Sequence, residues 1–410
     1  MKNILGIARI LNRHGLTALF LVFTVLLGLR NLPAAGHVGK EALSQEPSVQ
    51  EDGELSQARG FLDAWDRLVD ALDTFYQKEL HGRYGFIEGN GLAKRLAGFS
   101  TCNETVRLVN GYLERLDNSF DVEDTAKSLT ALSKYCRELE IPFLCVLAPS
   151  KVCKHDPGLP AGVPDEVNPG ADRLAKMLRE QGIDVLDLRD VLHEEGLDHD
   201  SLFFRTDHHW TSEGAFWGYQ KVAEYLNGHY GYHIDESLMD RSNFKTVNFP
   251  DKFLGSYGKR TGKYFGGVDD ISVIMPDFPT QMKMEAPSRG IVREGSFSEA
   301  VLDWSQIEDS WYYDEGHIPY AVYTGDDYNL LYHTNEEAGE DKDVLFLKDS
   351  FVRPVASFLN LGVRRVEAID LRIEPKVSVK EYLAENRPDT VIFMCSIWAL
   401  KDYNLIDFGL

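Results

Sequence analysis

Asp207 and His209 stand two residues apart in the run Arg205-Thr206-Asp207-His208-His209-Trp210-Thr211, and Ser350 lies far downstream in Lys348-Asp349-Ser350. A hydroxyl, an imidazole and a carboxylate fill the three roles of an acyl-transfer triad: nucleophile, general base and orienter of the base. A carboxylate two residues before an imidazole, on a turn leading into a helix, can accept the Nδ1–H and leave Nε2 free as the base. Each half also has an ordinary structural use, because Asp and His cap helices and pin loops, and serines after strands commonly only cap. On this reading Asp349 is an alternative helix cap, Lys348 is a surface residue and His208 points away from its neighbours.

A metal site competes for the same residues. His193, His199, Asp200, Asp207, His208 and His209 crowd into 17 positions, and His with Asp is a legitimate ligand set. Neither H-E-x-x-H nor another spaced ligand motif appears, and adjacent histidines cannot easily both aim at one ion. No metal and no cofactor are expected.

The elements around these residues must bring them together. Thr211 or Ser212 is a plausible N-cap for a helix whose face carries Phe216, Tyr219, Ala223 and Leu226. Apolar runs at 141–147, 183–188, 344–347, 366–369 and 390–395 are short and do not alternate. Strands of that kind are buried on both faces, which predicts a doubly wound α/β domain with a mainly parallel sheet. Ser150, Lys151, Ser350, Asp370 and Ser396 follow the ends of such runs, so they should gather at the carboxyl edge of the sheet, where open α/β folds place their sites. Ser350 would sit on a strand-to-helix turn, with backbone N–H groups at the helix start available to an oxyanion. Ahead of this pattern the sequence predicts an amphipathic helix over 61–80, a hairpin over 82–91 and a long helix over 105–139. Residues 240–335, rich in Gly, aromatic and charged residues, read as an insertion bordering the site.

Composition bounds the rest. The chain has 410 residues, 43% of them hydrophobic and 11% aromatic, enough for a packed core, and a formal net charge of −22. That charge argues against nucleic acid as a partner, since phosphate binding needs a basic patch and none is visible. Five cysteines show no C-x-x-C spacing, and none is assigned a catalytic role. Lys2, Arg9 and Arg13 precede an uncharged, Leu-, Val- and Phe-rich stretch over 15–29. The stretch is short for a spanning helix of about 20 residues and long enough for a signal-peptide core. An uncleaved anchor over 1–35 and a signal cleaved near Ala34-Ala35-Gly36 both remain open, and either places the bulk of the chain outside the cell. The predicted organisation is this segment, a tether and helix over 36–80, and an α/β domain over 81–410.

The run 204–210, taken with 345–350, resembles the DHHW family of bacterial extracytoplasmic proteins, which is similar to the alginate O-acetyltransferases among SGNH-hydrolase-like proteins. Ala148-Pro149-Ser150-Lys151, the 255–262 stretch and Ile369-Asp370-Leu371-Arg372 extend the likeness. The resemblance implies a catalytic triad of Ser350, His209 and Asp207, with the carboxylate and imidazole preceding the serine as in a circularly permuted SGNH order. It also implies O-acetyl transfer to a polysaccharide or glycan, with a multi-pass membrane O-acyltransferase as the acyl donor. Where members of the family show Gly-Gly-Asn before the nucleophile strand, this chain has Gly325-Asp326-Asp327. An acid there puts one oxyanion donor in doubt and leaves the Ser350 N–H and Arg353 as candidates. Three functions stay open: an O-acyltransferase, a carbohydrate acetyl-esterase using the same triad, and a non-catalytic surface or assembly protein on this fold.

Overall fold

The computed structural model describes residues 30–38, 40, 41, 44, 67, 68, 82–115, 122–402 and 408. The apolar stretch over 15–29 and nearly all of the helix expected over 61–80 lie outside them. Of the tether expected between residue 36 and that helix, residues 36–38, 40, 41 and 44 are described and are helical. No helix among the described residues is long and apolar enough to cross a membrane. The described residues from 90 onward form one compact unit and those up to 89 another.

Two expectations near the start of the larger unit are corrected. Residues 82–91 do not form a hairpin, because α1 (Arg83–Leu96) runs through them. Gly91 permits a close approach rather than a turn: a Cβ there would run into the Thr261 carbonyl oxygen. The long helix over 105–139 is instead a small antiparallel sheet, β1 (Thr101–Cys102), β2 (Thr105–Arg107) and β3 (Leu113–Arg115), followed by α2 (Val122–Glu138). Asn110-Gly111 decides this. Gly111 takes φ +93°, a left-handed conformation that ends any helix and suits the turn between β2 and β3.

Beyond α2 the strands and helices alternate: β4 (Phe143–Ala148), α3 (Val167–Glu180), β5 (Asp184–Asp187) and α4 (Ser212–His229). Then come β6 (Phe244–Phe253), α5 (Ser256–Thr261), β7 (Asp269–Pro276), β8 (Met282–Ala286), β9 (Ile291–Gly295) and β10 (Leu330–Thr334). They are followed by β11 (Glu340–Lys348), α6 (Val352–Leu359), β12 (Val363–Ile369), α7 (Val379–Asn386) and β13 (Thr390–Ser396). An eight-stranded sheet has the order β5-β4-β13-β11-β12-β10-β8-β9.

The expected mainly parallel sheet is mixed. Strands β5, β4, β13, β11 and β12 pair in parallel, whereas β10, β8 and β9 add on antiparallel. The segment over 240–335 is thus woven into the sheet, and its β8 and β10 alternate buried with half-buried residues. That period of two marks strands with one wetter face. In the central strands β4 and β13 of the parallel half, by contrast, both faces are dry. Leu144, Val146, Phe346 and Met394 pack in one core with α4 and α6, while Cys145, Leu147, Leu347 and Phe393 face α2, α3 and α7 in a second. Helices on both faces make the fold doubly wound. Each fully buried Leu or Phe contributes about 2–3 kcal/mol, so these strands are rigid supports for whatever follows their ends.

Candidate active site

Because β4, β11, β12 and β13 are parallel, the residues following them meet at one sheet edge. Asp349 fastens that edge. Its Oδ1 accepts the Phe351 N–H (3.0 Å), and its Oδ2 accepts both the N–H and the hydroxyl of Ser396 at the end of β13 (2.9 and 2.7 Å). The turn carrying Ser350 is therefore tied to two strands before α6 begins. Trp210 Nε1 donates to the Phe351 carbonyl (3.1 Å), which joins this turn to the distant 204–210 segment.

That segment is a tight loop pinned at its base. Phe204 N donates to the His209 carbonyl (3.2 Å) and Thr211 N to that of Leu202 (2.8 Å). Thr211 caps α4, accepting the Gly214 N–H at 3.2 Å. At the tip, the backbone N–H groups of Arg205 and Thr206 bond the Asp269 carboxylate (2.7 and 2.8 Å). Ser256 N, at the start of α5, donates to Asp207 Oδ2 (2.6 Å). Gly255 lies so close to Asp207 that a Cβ would overlap it.

The three separated side chains form one hydrogen-bonded line. Ser350 Oγ is 2.7 Å from His209 Nε2, and His209 Nδ1 is 2.5 Å from Asp207 Oδ1. All three residues are buried. Tyr320 stacks on the His209 ring (centroids 3.7 Å apart, 18° between planes) and donates its hydroxyl to the Ser350 carbonyl (3.2 Å). Burial would raise the Asp207 carboxyl, yet the imidazoles of His208 and His209 and the Ser256 N–H hold it well below the usual carboxylate range. Burial lowers the His209 imidazole from its ordinary value, and Asp207 offsets this only in part. A neutral imidazole with its Nδ1–H on an ionised carboxylate presents the Nε2 lone pair to the serine hydroxyl, the protonation state a general base requires.

Two expectations about the neighbours are corrected. His208 does not point away: its ring lies 3.8 Å from that of His209, and its Nδ1 is 2.9 Å from Ser256 Oγ. The loop does not alternate as a strand would, so adjacent rings can share a side. Lys348 is not at the surface. It is buried and pairs with Asp327 (2.6 Å) and Asp370 (3.3 Å).

Asp327, the acid in the Gly325-Asp326-Asp327 segment, also takes Arg353 in a two-pronged pair (Nε to Oδ1 2.8 Å, Nη2 to Oδ2 2.6 Å) and Arg372 at 3.3 Å. Burial would raise this carboxyl, but Arg353, Lys348 and Arg372 hold it well below the usual range. An ionised carboxylate accepts and cannot donate, so Asp327 is no oxyanion donor. It anchors cations beside the serine. Removing one partner of a buried ion pair costs about 3–5 kcal/mol, because the other charge is left uncompensated. Asp327→Ala is accordingly expected to lose about 3 kcal/mol or more in a urea unfolding titration. A loss within about 0.5 kcal/mol would show that water compensates these cations.

Among the candidate metal ligands, Asp207, His208 and His209 lie together, but both His209 nitrogens and both Asp207 oxygens already have partners. His193 stacks on His155, and His199 bonds the Ser150 carbonyl, apart from that group. Sequence reasoning missed Tyr320 and Asp269. An aromatic ring or an acid in a loop far along the chain carries no local pattern that reports its place beside a histidine. Ser256 stood inside the 255–262 stretch already singled out.

Residues 111–247 match the family described as an SGNH hydrolase-like domain, acetyltransferase AlgX. No curated protein matches the chain in sequence. The structure is similar to Bacillus cereus PatB1 in its sulfonyl adduct, at 19% identity and TM-score 0.59, covering 72% of this chain and 96% of that one. It is also similar to a DHHW family protein from Eubacterium siraeum, at 15% identity and TM-score 0.51, covering 72% of this chain and 95% of that one. At such identities the structural likenesses show the fold alone, and the domain match describes it as an SGNH-hydrolase-like α/β architecture, here with a mixed sheet.

Proposed function

We propose that the protein is an extracytoplasmic serine O-acyltransferase that moves an acetyl group to a hydroxyl of a cell-surface or secreted glycan. The unbroken hydrogen-bond line Ser350–His209–Asp207 carries this reading. Ser350 Oγ attacks the donor carbonyl while His209 Nε2 takes its proton. Asp207 steadies the imidazolium, which then protonates the leaving group. In the second half a glycan hydroxyl gives its proton to His209 and attacks the acyl-serine carbonyl, and Ser350 leaves with the proton returned. Because Asp327 is spent on cations, the developing oxyanion is assigned to backbone N–H at the Ser350 turn and to the positive field of Arg353.

The match of residues 111–247 to an acetyltransferase domain supports acetyl as the group moved. Basic residues followed by an apolar stretch at the N-terminus support an outside location, by anchor or by signal. A multi-pass membrane O-acyltransferase is the proposed donor. The test incubates the protein with p-nitrophenyl acetate and a neutral β-linked amino-sugar oligomer. Acetylated oligomer in the mass spectrum supports transfer, while acetate as the main product in the presence of acceptor assigns an esterase with the same triad. A serine-directed fluorophosphonate separates both from an inert surface protein, because labelling must require Ser350 and His209.

Lowered basicity at His209 has a consequence for pH. The base works only when neutral, and activity falls as pH drops through its folded-state pKa. That pKa lies below the ordinary 6.5, so the acid limb of kcat/KM is expected below pH 6.5. A limb at or above pH 7 would contradict a buried neutral imidazole as the base.

A further inference from the structure

We propose that His208 and Tyr320 are positioning residues that clamp the His209 imidazole from its two faces and keep it aimed through the second half of the reaction. The inference rests on His209 as the general base. The His208 ring centroid lies 3.8 Å from that of His209, and the Tyr320 centroid 3.7 Å, with 37° and 18° between the planes. Two rings cannot share one face at such separations, so His208 covers one face of the base and Tyr320 the other. Phe351, fully buried, stands against the same ring at 5.3 Å.

Each clamping ring is itself held. His208 Nδ1 lies 2.9 Å from Ser256 Oγ, and the Ser256 N–H bonds Asp207 Oδ2 (2.6 Å). One residue at the start of α5 therefore sets both a clamping ring and the orienting acid. Tyr320 is buried, its ring meets Phe204 edge-on at 6.3 Å (87° between planes), and its hydroxyl holds the Ser350 carbonyl (3.2 Å). Burial pushes that phenol well above its ordinary value, so it stays a donor. Burial and the nearby His209 lower the His208 imidazole, so it is neutral and does not repel the charge that forms on the base.

The need for a clamp follows from what hydrogen bonds leave free. In the resting site the imidazole is gripped at both nitrogens, by Asp207 Oδ1 (2.5 Å) and by Ser350 Oγ (2.7 Å). Once Ser350 carries the acyl group, its Oγ is an ester oxygen with no proton to give, and the second grip is lost. The acceptor hydroxyl must then meet Nε2 beside the acyl carbon, while a single hydrogen bond lets the ring swing about its Cβ–Cγ bond. A misplacement of about 1 Å can cost about 10²-fold in rate. Flat rings packed on both faces oppose that swing. The clamp is thus needed more for loss of the acyl group from Ser350 than for its arrival.

The test times the two halves separately on the full-length protein. Stopped-flow mixing with p-nitrophenyl acetate reads acylation as the first turnover of p-nitrophenolate. Intact mass reads the loss of acetyl from Ser350 to water or to a neutral β-linked amino-sugar oligomer. His208→Ala, which removes a half-buried ring, is expected to slow acetyl loss by at least about tenfold and acylation by at most about threefold, so acetyl-Ser350 accumulates. His208→Phe puts back a flat ring without the nitrogens and should bring acetyl loss to within about threefold of the wild type. Equal slowing of both halves, an alanine variant within about twofold of the wild type, or a phenylalanine variant as slow as the alanine one would overturn the clamp. Should His208→Ala not fold, Tyr320→Leu against Tyr320→Phe makes the same comparison from the other face. Wild-type protein that never acquires acetyl on Ser350 would remove the triad itself and the clamp with it, which distinguishes that failure from failure of the clamp alone.

Discussion

Ser350→Ala is expected to lower acyl transfer by about 10⁴-fold or more. The substitution removes the hydroxyl that, among the described residues, bonds His209 Nε2. The scaffold should survive. Asp349 still fastens the turn to Ser396, and the leftover cost is one unpaired imidazole nitrogen, about 1 kcal/mol. Rates are measured on protein whose melting temperature stays within a few degrees of the wild type. In cells, the O-acetyl content of the polymer is compared between strains, and unchanged acetylation with the alanine variant would reject Ser350 as nucleophile.

Asp207→Asn is expected to cost about 10⁴-fold as well, for a different reason. An amide has nearly the carboxylate's shape, so the contact to Ser256 N can persist. What changes is the proton. An amide nitrogen facing His209 Nδ1 donates instead of accepting, which moves the imidazole proton to Nε2 and turns an N–H toward the serine. In that orientation the base is lost, and the His209 backbone N–H, which bonds the same Asp207 oxygen at 3.0 Å, loses its acceptor too. A loss smaller than about tenfold, with the fold intact, would mean that Asp207 only holds the loop.

Parts of this site were legible in the order of residues because their signals are local. The spacing of Asp207 and His209, the hydroxyl after a dry strand and the helix cap at Thr211 all lie within a few residues of one another. Buried strands announce themselves through mainly apolar segments, and five such segments became β4, β5, β11, β12 and β13, although 183–188 and 366–369 carry acids. The errors came where spacing is ambiguous. Apolar residues over 105–115 fit a helical period, yet Asn110-Gly111 turns the chain. Glycines over 82–91 suggested turns, although Gly91 serves to let α1 approach the Thr261 carbonyl. The antiparallel half of the sheet was hidden inside a segment read as an insertion. Its pairing partners are distant in sequence, and a half-wet strand carries a weak pattern.

The candidates for a nucleophile, a base and an orienting acid, and the kind of sheet edge that could carry them, were legible in the chain's own order. Tertiary structure alone decided that Ser350 reaches His209 across 141 intervening peptide links, that Tyr320 walls the imidazole, and that Lys348 is buried on Asp327 rather than exposed. Contacts of that range depend on how strands are ordered and helices packed, which sets distances that no short stretch of sequence encodes. Protonation follows from the same packing. His209 is neutral and Asp207 ionised because of what surrounds them once water is excluded, a property of the folded environment and not of the residue type.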